Sequence, residues 1–350
     1  MIQRLDEGLS VRPGSDPEAR AFCEAHPLAS PYHDPFWWDL LSRSFGYTSV
    51  VVVQSRDGQV TGVAPACVVN PFVGPRRLVS LPFSHDVPPL CAEGGSVEVL
   101  LRGLRLAAPV LRCASVELRA EAAAAEGFEL QPALLQTRVK LTGDDASQLS
   151  AMKESTRQQT VQGLRFEGLE VASAKTIDEV RLSFHLVSET RRRKGSLTYP
   201  RSLFEGLLPL IEAGRALIEV ARLNGRPIAT TVTIVRNRTA IYLYGGSHGD
   251  EASLRARPNN VLLFRALRFA REAGASVLDL GTSLPAQTGL VRFKEGLGGL
   301  TTPLSYLAWP RAVSRPEQDG FLARVAGTIL TRLPLPVFER ITPLVLRQVG

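Results

Sequence analysis

The residues best suited to chemistry crowd into one stretch of the chain, Tyr242 to Lys294. It reads Tyr242-Leu243-Tyr244-Gly245-Gly246-Ser247, then Arg257-Pro258-Asn259-Asn260, then Asp279-Leu280-Gly281, and ends in Phe293-Lys294. Glycines at the end of a strand let backbone approach a ligand, so Gly245 and Gly246 predict a binding edge. Pro258 opens a helix with Asn259 and Asn260 in its first turn, where unbonded N–H groups suit an anion. Asp279, at a strand end, is either a simple cap or a general base that orients an acceptor amine. Lys294 offers a cation beside an apolar anchor. Attack of an amine on an ester or thioester creates an oxyanion, which a fixed cation stabilises most in the transition state. By residue type alone, such a lysine is a solvated surface group.

A second group is cationic. Arg191, Arg192, Arg193 and Lys194 close a predicted helix, where the macrodipole favours positive charge. Four adjacent cations also suit a phosphate, and Arg157, four residues after Lys153, extends the patch. His248 falls in a polar turn and is expected to face solvent. Ser84, His85 and Asp86 are sequence neighbours and cannot form a relay triad. The cysteines, Cys23, Cys67, Cys91 and Cys113, contain no CxxC pair, so zinc and iron–sulfur chemistry are not expected. With no apolar leader read at the start of the chain, they are expected to be reduced and the protein cytoplasmic.

Elements must hold these groups. In the first half, Phe36–Phe45 reads as a helix, and two β-branched runs flank the hairpin signal Arg56-Asp57-Gly58-Gln59. A helix near Val97–Ala107 and strands around 115–120 and 137–143 follow. The second half repeats that order: helices at 155–167, 176–190 and 200–213, and three strands turned at Asn224-Gly225 and Arg236-Asn237-Arg238. A helix at 260–273, a strand, a short helix near Lys294 and a last strand near Leu307 complete it. Mixed order of this kind predicts two α/β sheets of similar build, covering 1–146 and 147–310. Residues 311–350 read as an amphipathic tail: Phe321, Leu322, Val325, Ala326, Ile329, Leu330 and Leu333 keep helical spacing, and Val337, Phe338, Ile341, Leu344 and Val345 resume it. Such a tail docks on the body, or on a partner or membrane surface through 315–350.

Tyr244-Gly245-Gly246-Ser247, Arg257-Pro258-Asn259-Asn260, Asp279-Leu280-Gly281, Gly289-Leu290 and Phe293-Lys294-x-Gly296 together resemble the FemAB-type branch of the GNAT acyltransferase superfamily. This branch holds peptidoglycan bridge-forming enzymes and BioF2-like acetyltransferases. Lys153, Thr156, Arg157, Thr190-Arg191-Arg192 and Gly195 extend the resemblance upstream, and PFWWDLLSRSFG and LVSLPFSHDVPPL carry it into the first half.

The resemblance implies two tandem GNAT-like mixed-sheet domains with an acceptor cleft between them, His85 and Asp86 near that cleft, and Lys294 as the functional lysine. It implies an N-acyltransferase acting without a covalent intermediate, with acyl-CoA or aminoacyl-tRNA as co-substrate. The acceptor would be an amine on a cell-envelope precursor, in peptidoglycan or polysaccharide biosynthesis, or on a related small molecule, phosphorylated or lipid-linked. Two departures leave the donor open. The helical-hairpin arm of many Fem enzymes is missing, and so is the pyrophosphate loop of ordinary acetyl-CoA enzymes. The competing expectations are a non-catalytic module binding RNA or a lipid-linked substrate, and an assembly factor held at the inner membrane face.

The composition fits either. The 350 residues are 44% hydrophobic and 21% charged, with 29 Gly and 24 Pro, and Lys+Arg outnumber Asp+Glu by 41 to 34. That is a globular chain of two domains whose excess positive charge favours anionic partners.

Overall fold

The computed structural model describes residues 2–120, 125–310 and 321–350. The start of the predicted tail, 311–320, lies outside the described residues, as do the side chains of Phe321, Leu322, Val325 and Ala326. The chain divides into two compact units.

The first unit is built on a nine-stranded sheet. Its order is Gln3–Asp6, Leu9–Pro13, Thr48–Arg56, Gln59–Val69, Arg77–Val79, Ser115–Leu118, Leu307–Trp309 and Glu129–Leu130, with Leu90–Cys91 paired to Gln59–Val69. The hairpin at Asp57-Gly58 forms as the sequence predicts. Asp57 has φ 51° and Gly58 φ 78°, the left-handed pair that Asp-Gly supplies at least strain. The helix Val97–Val110 packs Leu100, Leu101, Leu104, Ala107 and Ala108 against Val52, Ala66, Leu78 and Val116. The N-terminal stretch forms a hairpin followed by the helix Pro17–Ala25, whose first turn is capped by Asp16 accepting from Ala19 N at 3.0 Å.

The second unit is a seven-stranded sheet ordered Leu169–Ser173, Ala216–Leu223, Arg226–Arg236, Thr239–Ser247, Val277–Ser283, Leu134–Lys140 and Gly299–Leu304. Helix Pro258–Glu272 buries Leu263, Phe264 and Leu267 against Val139, Leu278 and Leu280. Helix Ile177–Arg193 is set by a capping box in which Thr176 and Glu179 satisfy each other's backbone donors. Helix Glu154–Leu164 precedes it, and Thr288–Gly296 follows the strand Val277–Ser283. The single helix expected over 200–213 is two short ones, Arg201–Glu205 and Leu208–Glu212, separated at Gly206.

The division falls at Ala133/Leu134, not at 146/147, and the strand Leu307–Trp309 and residues Leu344–Gly350 belong to the first unit. The cause is strand exchange. Leu134–Lys140 pairs with Val277–Ser283 in the second sheet, whereas Leu307–Trp309 pairs with Ser115–Leu118 in the first.

The tail is helical, with Phe321–Arg332 and Leu335–Val349. Phe338 and Thr342 are buried in the second unit, where Thr342 Oγ1 accepts from Thr198 N at 3.2 Å and Glu339 pairs with His185 at 2.7 Å. In the first unit Tyr47 Oη donates to Arg347 O at 2.9 Å and Arg77 to Gln348 O at 3.0 Å. No described helix is long and apolar enough to cross a membrane.

Candidate active site

Thr239–Ser247 and Val277–Ser283 are neighbouring parallel strands, joined through helix Pro258–Glu272. They pair only at Thr239/Val277, Ala240/Leu278 and Ile241/Asp279. Beyond Ile241 the first strand stays bonded to Arg226–Arg236 as far as Ser247, while the second shifts register between Asp279 and Thr282. The strands therefore part, leaving backbone groups of the first without a strand partner on that side.

Asp279 and Lys294 both bond to the segment in which the second strand shifts register against Leu134–Lys140. Gly281 has φ 71°, which a residue with a Cβ rarely adopts. Asp279 Oδ1 accepts from Gly281 N at 2.7 Å, and Oδ2 from Gln136 Nε2 at 2.6 Å, with Arg138 Nε at 3.5 Å. Lys294, only 6% exposed, donates to Gly281 O at 2.9 Å, Thr282 O at 3.1 Å and Ser283 Oγ at 2.9 Å. Burial lowers its pKa to about 8, opposed by the nearby Asp279 charge. The solvated-surface reading of Lys294 is thus corrected. In this geometry the three N–H donors of its ammonium all have protein acceptors. Asp279 behaves as the cap.

Ser247 is a second meeting point. Its N donates to Thr190 Oγ1 at 2.8 Å, its O accepts from Arg193 Nη2 at 2.7 Å, and its Oγ lies 3.4 Å from Asn259 Nδ2. The C-terminal turn of one helix, the end of the parting strand and the first turn of the crossover helix converge there. At that first turn Arg257 is left-handed at φ 54°, and two buried donors, Asn260 Nδ2 and Arg257 Nε, have no protein partner. Next to Ser247, His248 Nδ1 lies 3.3 Å from Glu189 Oε2. With 19% of its side chain exposed, it is more enclosed than a turn histidine was expected to be.

Tyr244 is buried on the arginine-bearing helix's side of the sheet. Its ring lies 4.4 Å from Tyr199 and 5.1 Å from Phe204, and its hydroxyl has no partner. Arg191 stacks over Tyr199 at 4.5 Å. The glycines serve packing: a Cβ at Gly246 would lie 2.5 Å from Leu186 O, and one at Gly245 would collide with Tyr242 Oη.

The cationic run disperses. Arg191 donates to Leu197 O, Arg192 to Leu333 O at 2.7 Å, and Arg193 to Ser247 O, while Lys194 is exposed. Each of the three arginines has a backbone carbonyl partner, and the three carbonyls lie on different segments. Arg157 pairs with Glu154 at 2.9 Å. His85 lies in the first unit, where Nδ1 is 3.0 Å from Tyr32 Oη, and half-buried Asp86 follows it. That loop is braced by Trp37 Nε1 donating to Ser84 Oγ at 2.8 Å. Among the described residues, no group of three or more His, Cys, Asp or Glu could hold a metal ion. Sequence reasoning missed Gln136 and Thr190 as partners of Asp279 and Ser247. Nothing in the sequence near Gln136 signals a contact 143 residues away.

Residues 150–295 match the family model described as Acetyltransferase (GNAT) domain. The second unit carries a GNAT acetyltransferase domain. It is an acyltransferase domain by type, and acyl-CoA is the co-substrate it implies. The tandem arrangement recurs in solved structures, all of low identity. FemX aligns at TM-score 0.66 and 16% identity, over 83% of this chain and 95% of that one. L-PGS from Bacillus licheniformis aligns at 0.52 and 16%, over 90% and 96%. A tandem GNAT protein of the clavulanic acid biosynthesis pathway aligns at 0.51 and 13%, over 86% and 98%. None of the curated proteins compared matches the sequence significantly. The fold is therefore a tandem GNAT fold, shared with FemX and the clavulanic acid pathway protein.

Proposed function

We propose that this chain is an N-acyltransferase that moves an acyl or aminoacyl group from a CoA thioester or an aminoacyl-tRNA to an amine. The acceptor class that fits is a cell-envelope precursor or a related small molecule, in line with neighbours named FemX and L-PGS. The observation that carries the reading is the parting of Thr239–Ser247 from Val277–Ser283 beside the first turn of Pro258–Glu272. The open strand edge takes the amide groups of an extended donor. The helix N-terminus, with Asn260 Nδ2 and Arg257 Nε unpartnered, takes its phosphate.

In this reading the amine nitrogen attacks the carbonyl carbon directly. The carbon–sulfur or carbon–oxygen bond breaks, and the thiol or ribose hydroxyl leaves with a proton. His248, with Nδ1 turned to Glu189, accepts the amine's proton through its other nitrogen. Lys294 and Asp279 act by holding the strands apart.

Thermal melting with acetyl-CoA, longer acyl-CoAs, aminoacyl-tRNA and UDP-sugars tests the donor. A ligand that binds only the folded state at 100 times its Kd adds about 2.7 kcal/mol. A rise with a CoA thioester or an aminoacyl-tRNA is expected and names the donor. No rise with either class overturns the reading.

A further inference from the structure

We propose that the first unit docks on an anionic phospholipid surface through the loop Asn70–Arg77 and the last turns of helix Leu335–Val349. The loop reads Asn-Pro-Phe-Val-Gly-Pro-Arg-Arg, between the strands Gln59–Val69 and Arg77–Val79. Phe72 is 74% exposed and Val73 90%. Exposed side chains of this size at a loop tip add nothing to the unit's own core.

The loop is fixed to the helix. Phe72 N donates to Gln348 Oε1 at 2.6 Å, Arg77 Nη2 to Gln348 O at 3.0 Å and to Val349 O at 2.6 Å, and the Arg347 guanidinium lies 5.4 Å from the Phe72 ring centre. Beside that junction Leu344, Val345 and Val349 are each about half exposed. Aromatic and aliphatic side chains thus share one patch with Arg76, Arg77 and Arg347.

Charge selects the occupant. No Asp or Glu occurs between Asp57 and Asp86, and none after Glu339. An apolar patch that carries Arg76, Arg77 and Arg347 suits the boundary between phosphate headgroups and acyl chains. It does not suit a second copy of itself, because a two-fold contact would set Arg76 and Arg347 against their own counterparts.

The full chain is sedimented with vesicles of phosphatidylcholine, with and without phosphatidylglycerol. Three arginines at about 1 kcal/mol each predict binding at least tenfold tighter to the anionic vesicles, weakening as salt rises. Phe72→Ser with Val73→Ser should lower that binding about tenfold or more and leave the melting temperature unchanged, since both side chains lie in solvent. If that variant melts early, Arg76→Gln replaces it; this exposed residue should lose about fivefold on anionic vesicles only. Equal binding to both vesicle types, or wild-type binding by a stably folded variant, overturns the proposal. So does a dimer in sedimentation velocity that the loop substitutions abolish, which would make a second copy the occupant. The test involves no acyl transfer, so it stands apart from the proposed activity.

Discussion

Lys294 combines burial, three acceptors and a pKa lowered to about 8. The folded protein releases this proton before the unfolded chain, whose lysine titrates near 10.5. Stability therefore rises with pH across that window, by roughly 3 kcal/mol in full, and the burial penalty is complete below about pH 8. Urea unfolding of the wild type and Lys294→Met at pH 7 and pH 10 should show the wild type gaining about 2–3 kcal/mol more than the variant. Equal gains would show that the lysine titrates as in solvent. At either pH Lys294→Met should be destabilised by several kcal/mol, because three buried acceptors lose their donor. His248 makes the second residue-scale prediction. On an established substrate, His248→Gln should lower kcat by about 10²–10⁴. An unchanged kcat would assign the proton to water. The Phe-Lys-x-Gly pattern singled out Lys294 in the sequence. Its acceptors were not legible there, because they exist only once Gly281 turns left-handed.

At the scale of elements, Gly245 and Gly246 show how a motif can be recognised for the wrong physical reason. They were expected to admit a ligand. Instead Gly246 admits the backbone of helix Ile177–Arg193, and Gly245 lies beneath Tyr242 Oη. Gly246→Ala should cost about 1–3 kcal/mol in urea unfolding, since neither Leu186 O nor the strand can move freely. Gly245→Ala should cost less, because a tyrosine's far end can swing aside. The reverse order would refute this packing account. The arginine run teaches the same lesson. Residue type predicts an anion, but the geometry sends Arg191, Arg192 and Arg193 to three separate carbonyls. A helix's end spreads adjacent side chains around its axis, so neighbours in sequence reach different partners.

For the whole molecule, strand exchange decides what can fold alone. A fragment of 1–133 would lack Leu307–Trp309, which lies between Ser115–Leu118 and Glu129–Leu130 and brings Leu307 into that core. We expect this fragment to show no cooperative thermal transition, whereas the full chain does. A cooperative melt of the fragment would show that the exchanged strand is dispensable. Hairpins, amphipathic helices and their order were determined by the sequence itself, because periodicity and turn chemistry act over a few residues. Asp57-Gly58 and Asn224-Gly225 both turn where local backbone preference sends them. The tertiary structure alone decided which sheet Leu134–Lys140 and Leu307–Trp309 join, that Gln136 meets Asp279, and that Lys294 is buried. Those outcomes depend on pairing between strands far apart in sequence, where many partners satisfy the same local pattern and only the packed core selects one.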